Sequence, residues 1–139
     1  MYASAEASGK TSADRVRRST APRINERIDR EIELSVKHHR RCPPSVVRQR
    51  IQTLDEEWDI ERVLEVNAST LAFTGLLLGS TVNRKWLALP AAVLGFLFQH
   101  GVQGWCPPLP VLRRMGVRTR GEIDREKYAL KALLDKPAA

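Results

Sequence analysis

This sequence is poor in the residues that usually carry chemistry. Its 139 residues include two cysteines, three histidines, three tryptophans, two tyrosines and three phenylalanines. Two cysteines exclude a disulfide-dense scaffold, and eight scattered glycines exclude a collagen-like chain. No paired acid–base constellation is present, and the first ten residues, MYASAEASGK, lack the apolar stretch of a signal peptide. The most informative scarcity is charge in the middle of the chain. Residues 66–112 contain Arg84, Lys85 and no acid, whereas residues 1–55 carry 12 basic and 7 acidic side chains. Residues 56–65 carry one basic and five acidic, and residues 113–139 carry eight and four. The formal charge of +7 and the mean hydropathy of −0.33 therefore average two polar ends with one almost uncharged centre, which a fully disordered chain would lack.

The centre reads as an antiparallel transmembrane hairpin. From Val66 to Val82 run 17 uncharged residues, about 25 Å of helix, the short end of a bilayer span. Residues from Asp59 onward extend that helix backwards, with Arg62 and Glu65 reaching the headgroup level. A polar turn at Asn83-Arg84-Lys85 separates it from a second uncharged run, Trp86 to Leu112. Pro90 falls early in this second helix, where a missing N–H costs little. The prolines at 107, 108 and 110 stop it by about Gly104. Trp86 and Trp105 mark its two ends, as interfacial aromatics do. Neither run offers the charged face of a surface helix. A soluble bundle with the same hairpin as its core is the alternative. More arginines flank the hairpin than sit in its turn, so both termini are expected in the cytoplasm.

The remaining residues divide into three. Residues 1–20 are small, polar and basic and are expected to be disordered. Residues 21–57 hold two amphipathic helices. Ile24, Ile28, Ile32 and Val36 share one face of the first, and the run His38-His39-Arg40-Arg41-Cys42-Pro43-Pro44 breaks it. The second opens near Ser45 and carries Val47, Ile51, Leu54 and Trp58 at steps of 4, 3 and 4, an interaction seam that needs a partner. It is free to run on into the first spanning helix. Residues 58–112 form the hairpin. Residues 113–139 close the chain with a helix from about Arg120 to Leu134, announced by Thr119 and Glu122 at capping-box spacing. Its apolar residues Ile123, Leu130, Leu133 and Leu134 suit either an anionic leaflet or the second tail helix.

Candidate chemistry concentrates at the end of the second spanning helix, where Gln99, His100 and Gln103 interrupt the apolar run and Cys106 follows. Ionisable groups at membrane depth raise a functional question by default. The structural alternative is that His100 bonds across the hairpin to Asn67 or Thr70. Cys106 is the candidate thiol, reactive if Arg113 and Arg114 lower its pKa. Both cysteines sit in Cys-Pro-Pro, at 42–44 and 106–108, and such a tripeptide also simply ends helices. A metal site of His38 or His39 with Cys42, His100 and Cys106, or a thiolate haem ligand, is a weaker reading; no cofactor and no metal is expected. Gly75 and Gly79 form a GxxxG pair, suited to close packing either within the hairpin or against another protomer. No nucleic-acid motif accompanies the basic residues, so nucleic acid is not expected as a partner.

The stretch GVQGWCPPLPVLRRMGVRT, with the preceding apolar hairpin and ERVLEVNAST, resembles the YgaP-like transmembrane domain family. That resemblance spans about residues 58–118, and its most specific part is Gly104-Trp105-Cys106-Pro107 followed by Leu112-Arg113-Arg114-Met115-Gly116. It implies a bacterial inner-membrane location and a two-helix span, and supplies no activity. Some family members carry a rhodanese sulfurtransferase domain, for which this chain has no room. The expectation is thus an all-α, non-enzymatic integral membrane protein, an oligomerising or partner-binding module in the lipid bilayer. The alternatives are a sulfur-carrying or redox-sensing thiol protein built on Cys106, and a soluble helical bundle.

Overall fold

A computed structural model describes residues 15–136, and among these the regular structure is entirely helical. The helices are α1 (Arg15–Arg18), α2 (Pro22–His39), α3 (Pro44–Glu56), α4 (Ile60–Thr81), α5 (Ala88–Gln103), α6 (Leu109–Arg114) and α7 (Arg120–Asp135), with a 3₁₀ turn at Arg84–Leu87 before α5. Helices α4 and α5 pack side by side as a hairpin. Helices α2, α3 and α7 form a polar-surfaced bundle, and α1 and α6 join the two parts.

The bundle follows from its sequence periods. Ile24, Ile28 and Ile32 are buried along α2, and Val36 packs beside them. Val47 and Leu54 of α3 are buried with Ile123 and Leu130 of α7, and Ile51, Leu133 and Leu134 pack around them. The partner that the α3 seam requires is therefore α7. Both halves of the capping box form: the Thr119 hydroxyl accepts the Glu122 N–H, and the Glu122 carboxylate accepts the Thr119 N–H at 2.8 Å. Prolines open α2 and α3, where no intrahelical donor is lost.

Two expectations are revised, Trp58 in the α3 seam and disorder through residue 20, and others gain detail. Trp58 leaves the seam, because α3 ends at Glu56 and Glu57–Asp59 is not helical. Asp59 instead caps a new helix, its side chain accepting the Arg62 N–H at 2.9 Å. Trp58 stays half-exposed with the Arg62 guanidinium 4.2 Å above its ring. Helices α3 and α4 are thus separate elements. Within the stretch read as disordered, residues 15–20 are ordered: α1 buries Val16 among Ile60, Leu64, Cys106 and Leu109, because one apolar side chain suffices to dock a short turn. Residues 1–14 lie outside the described residues. The proline-rich stretch after Cys106 stops α5 but also starts α6, with Pro110 in its first turn. The polar turn closes as a 3₁₀ helix, with the Asn83 side chain accepting the Lys85 N–H at 2.9 Å.

Among the described residues one helical stretch, Pro44–Thr81, is long and apolar enough to cross a membrane by length and composition. Its apolar part is α4, 22 residues and about 33 Å long. Helix α5 has 16 residues and, with the four-residue 3₁₀ turn, reaches about 32 Å.

Candidate functional site

The hairpin is closed by its glycines. A Cβ on Gly75 would stand 2.5 Å from Pro90 Cδ and 3.2 Å from Leu89 Cβ, and one on Gly79 would stand 2.5 Å from Leu87 Cδ2. The Gly75–Gly79 pair therefore faces the second arm of its own hairpin, where bare backbone admits Leu87 and Pro90. At the other end α5 finishes on Gly104, at φ 75, a left-handed cap that favours glycine. The Arg15 backbone of α1 lies against this glycine, so a Cβ there would meet the Arg15 carbonyl carbon at 2.7 Å. The Ser19 hydroxyl adds a hydrogen bond to the Gln103 carbonyl. Helix α1 thus covers the carbonyl end of α5 and locks the hairpin base to the bundle.

His100 is buried at that base, its Nε2 2.9 Å from the Glu61 carboxylate at the start of α4. The pairing expected with Asn67 or Thr70 does not form. Asn67 donates to the Val63 carbonyl and Thr70 to the Val66 carbonyl, each bonding one turn back on its own helix. Since a carboxylate only accepts, Nε2–H donates to Glu61. Nδ1 is buried with no hydrogen-bond partner. Gln99 and Gln103 do not converge on His100; they bond to each other at 3.4 Å.

Next to His100 lies a pocket of about 360 Å³ lined by Leu64, Asn67, Ala68 and Leu71 of α4, Val93, Phe96, Leu97 and His100 of α5, and Cys106, Pro108 and Leu112. It is apolar except at its end near His100. Cys106 is buried, and burial pushes its thiol up from the ordinary cysteine value; the backbone N–H of Leu109 opposes this without reversing it. Arg113, expected to activate that thiol, turns away from it. The sequence condition for a reactive Cys106 is therefore not met. Cys42 and Cys106 are free thiols in separate apolar clusters. Among the described residues no three His, Cys, Asp or Glu side chains converge to hold a metal.

The main feature that sequence reading missed is a buried ionic network organised by Glu122 and Glu126 of α7. Arg113 is fully buried and uses all five N–H donors. Two go to Glu122 at 2.7 Å each, and the others to Thr20 Oγ1 at 3.1 Å, Asn25 Oδ1 at 2.9 Å and the Val117 carbonyl at 3.0 Å. Glu122 also receives Arg17, which in turn holds Asp29 at 2.9 Å. One turn on, Glu126 receives the Ser35 hydroxyl at 2.6 Å, Arg50 at 3.0 Å and Arg118, and Arg118 also grips Glu57. Burial pushes both glutamates up, but their arginine partners outweigh it and hold them below the usual carboxylate range. Asp29 is held low in the same way by Arg17 and Arg125. The sequence signal was Glu126 between Ile123 and Leu130, on the apolar face of α7.

No family model, curated protein or solved structure matches this chain.

Proposed function

We propose that this chain is an integral membrane protein whose α4–α5 hairpin spans a bacterial inner membrane and carries a cytoplasmic helical module for self-association or partner binding. The observation that carries this reading is the outer surface of the hairpin. Leu71, Phe73, Leu76, Leu77, Phe98 and Val102 are all exposed, on two helices whose charged side chains lie only at their ends. Helix α4, about 33 Å long, is long enough for a hydrocarbon core of about 30 Å, and α5 runs alongside it. Trp58 and Trp105 stand at one end of the hairpin and Trp86 at the other, all partly exposed. The resemblance of residues 58–118 to the YgaP-like family agrees with this placement. Since Gly75 and Gly79 are used inside the hairpin, association with other proteins falls to the bundle and the lipid-facing side chains rather than to GxxxG.

Alkaline carbonate extraction of membranes from expressing cells tests the reading. Retention in the pellet is the expected outcome; release would leave a soluble helical bundle as the better account. Protease added to intact spheroplasts should leave both tails uncut. Cleavage within α2 or α7 would reverse the orientation.

A further inference from the structure

We infer that helix α6 is an in-plane membrane anchor, its outer face seated in the phospholipid headgroup layer at the hairpin base with Arg114 against lipid phosphate. This inference rests on the membrane reading, because the leaflet is its partner. Pro108, Val111, Leu112 and Met115 stand at i, i+3, i+4 and i+7, one apolar stripe along α6 and its two caps. Pro108 and Leu112 line the same slot as Leu64 and Leu71 of α4, so the stripe turns towards the apolar hairpin. Val111 is 56% exposed and Met115 74%. The opposite side of the helix faces inward: Leu109 packs with Ile60 and Leu64, and Arg113 enters the bundle. The first two turns of α4 therefore hold α6 at the level where the apolar arm begins.

Charge points the same way. Between Glu65 and Glu122 the chain carries no acid, while Arg113, Arg114, Arg118 and Arg120 follow Leu112. Arg113, Arg118 and Arg120 are paired with carboxylates of the protein itself. Arg114 is exposed, and its guanidinium has no carboxylate partner among the described residues. An apolar stripe beside an unpaired arginine and a partly exposed tryptophan, Trp105, is the pattern of an interfacial helix. Its apolar side chains reach about 5–10 Å into the boundary between headgroups and acyl chains. The arginine extends to the phosphates. Six residues are too few to hold a membrane alone, but the hairpin already keeps them at its surface. A protein partner fits this face less well. Even fully exposed, Trp105, Val111 and Met115 fall short of the roughly 800 Å² a side that a stable protein interface buries.

The test uses the full chain in nanodiscs of phosphatidylcholine and phosphatidylglycerol, brominated either near the headgroup end of the acyl chain or near its methyl end. In a background of Trp58→Phe, Trp86→Phe and Trp105→Phe, one reporter is added at a time: Met115→Trp, Phe73→Trp or Leu34→Trp. Fluorescence of Met115→Trp is expected to be quenched about twofold more by shallow bromines than by deep ones, and to resist aqueous acrylamide. Leu34→Trp, exposed on α2, should show acrylamide quenching alone. Adding Arg114→Glu should lower the shallow quenching at Met115→Trp about twofold while helical circular dichroism persists. Phe73→Trp reads the span separately. Deep quenching there, with Met115→Trp open to acrylamide, rejects the anchor alone. A Met115→Trp shielded from both quenchers has a protein neighbour and also overturns the anchor. Shallow quenching at Met115→Trp with none at Phe73→Trp keeps α6 on the membrane and rejects only the span; quenching by bromine at neither site rejects both.

Discussion

Arg113 and Glu122 make a paired, fully satisfied ion pair in a bundle that is otherwise small and highly charged. Such a pair adds modest net stability but is costly to break, since removing one partner strands the other in a dry interior. Arg113→Met is expected to destabilise the bundle by about 3–5 kcal/mol in urea unfolding. Arg113→Lys should recover only part of that, because an ammonium cannot reproduce the fork. Acid acts on the same groups. Asp29, Glu122 and Glu126 have folded-state pKa values below their unfolded ones, so the stability they contribute is present above about pH 4.5 and is lost as pH falls through the lowered values. A thermal melt series from pH 7 to pH 3 should show the loss confined to the acid end. None of this pairing was legible in the sequence. Arg17 and Glu122 are 105 positions apart, and composition counts charges without saying which of them meet. The same limit hid Glu61 as the partner of His100, since a hairpin register decides it and a list of polar residues does not.

Elements were far more legible than residues. Helical period, the proline stop after Gly104 and the Thr119–Glu122 box each act within one or two turns, and each placed its helix. The readings that failed, Trp58 in the seam and disorder through residue 20, concern what lies beyond a helix end, where tertiary contacts decide. Glycine substitutions probe the hairpin directly. Gly75→Ala drives a methyl into the Pro90 ring, close to backbone, and should cost about 1–3 kcal/mol. Gly79→Ala meets Leu87 at Cδ2 and Cγ with its backbone N 3.3 Å away, and should cost a similar amount. Gly95→Ala meets nothing within 4 Å and should be neutral or slightly stabilising in thermal melts of the solubilised protein. If all three behaved alike, the hairpin would not be packed through the Gly75–Gly79 face.

At the scale of the whole molecule, the two parts are joined by little chain but by much geometry. The base of the hairpin, α1 and α6 share one apolar cluster, and Gly104 has no room for a side chain beside Arg15. Gly104→Ala, strained in backbone and crowded by α1, is expected to loosen the joint. Limited proteolysis should then cut near residues 15–20 at a protease dose that leaves the parent intact. Composition alone announced the two parts, because charge is absent from one and dense in the other. It could not announce the joint, where Val16, the Arg15 backbone, Arg17 and Ser19 each find partners far along the chain.

Helix α7 supplies Glu122 and Glu126, and it leaves the ribosome after α1 to α6. Until it emerges, Arg50 and Arg113 have already been made and lack the carboxylates that receive them, while Arg17 and Arg118 have only Asp29 and Glu57. The bundle therefore cannot close residue by residue during synthesis; it waits, open and cationic, while the apolar hairpin finds its place. A nascent chain halted before Arg120 should present Arg50 and Arg113 without their carboxylates. Completion of one helix then turns both inward in a single step.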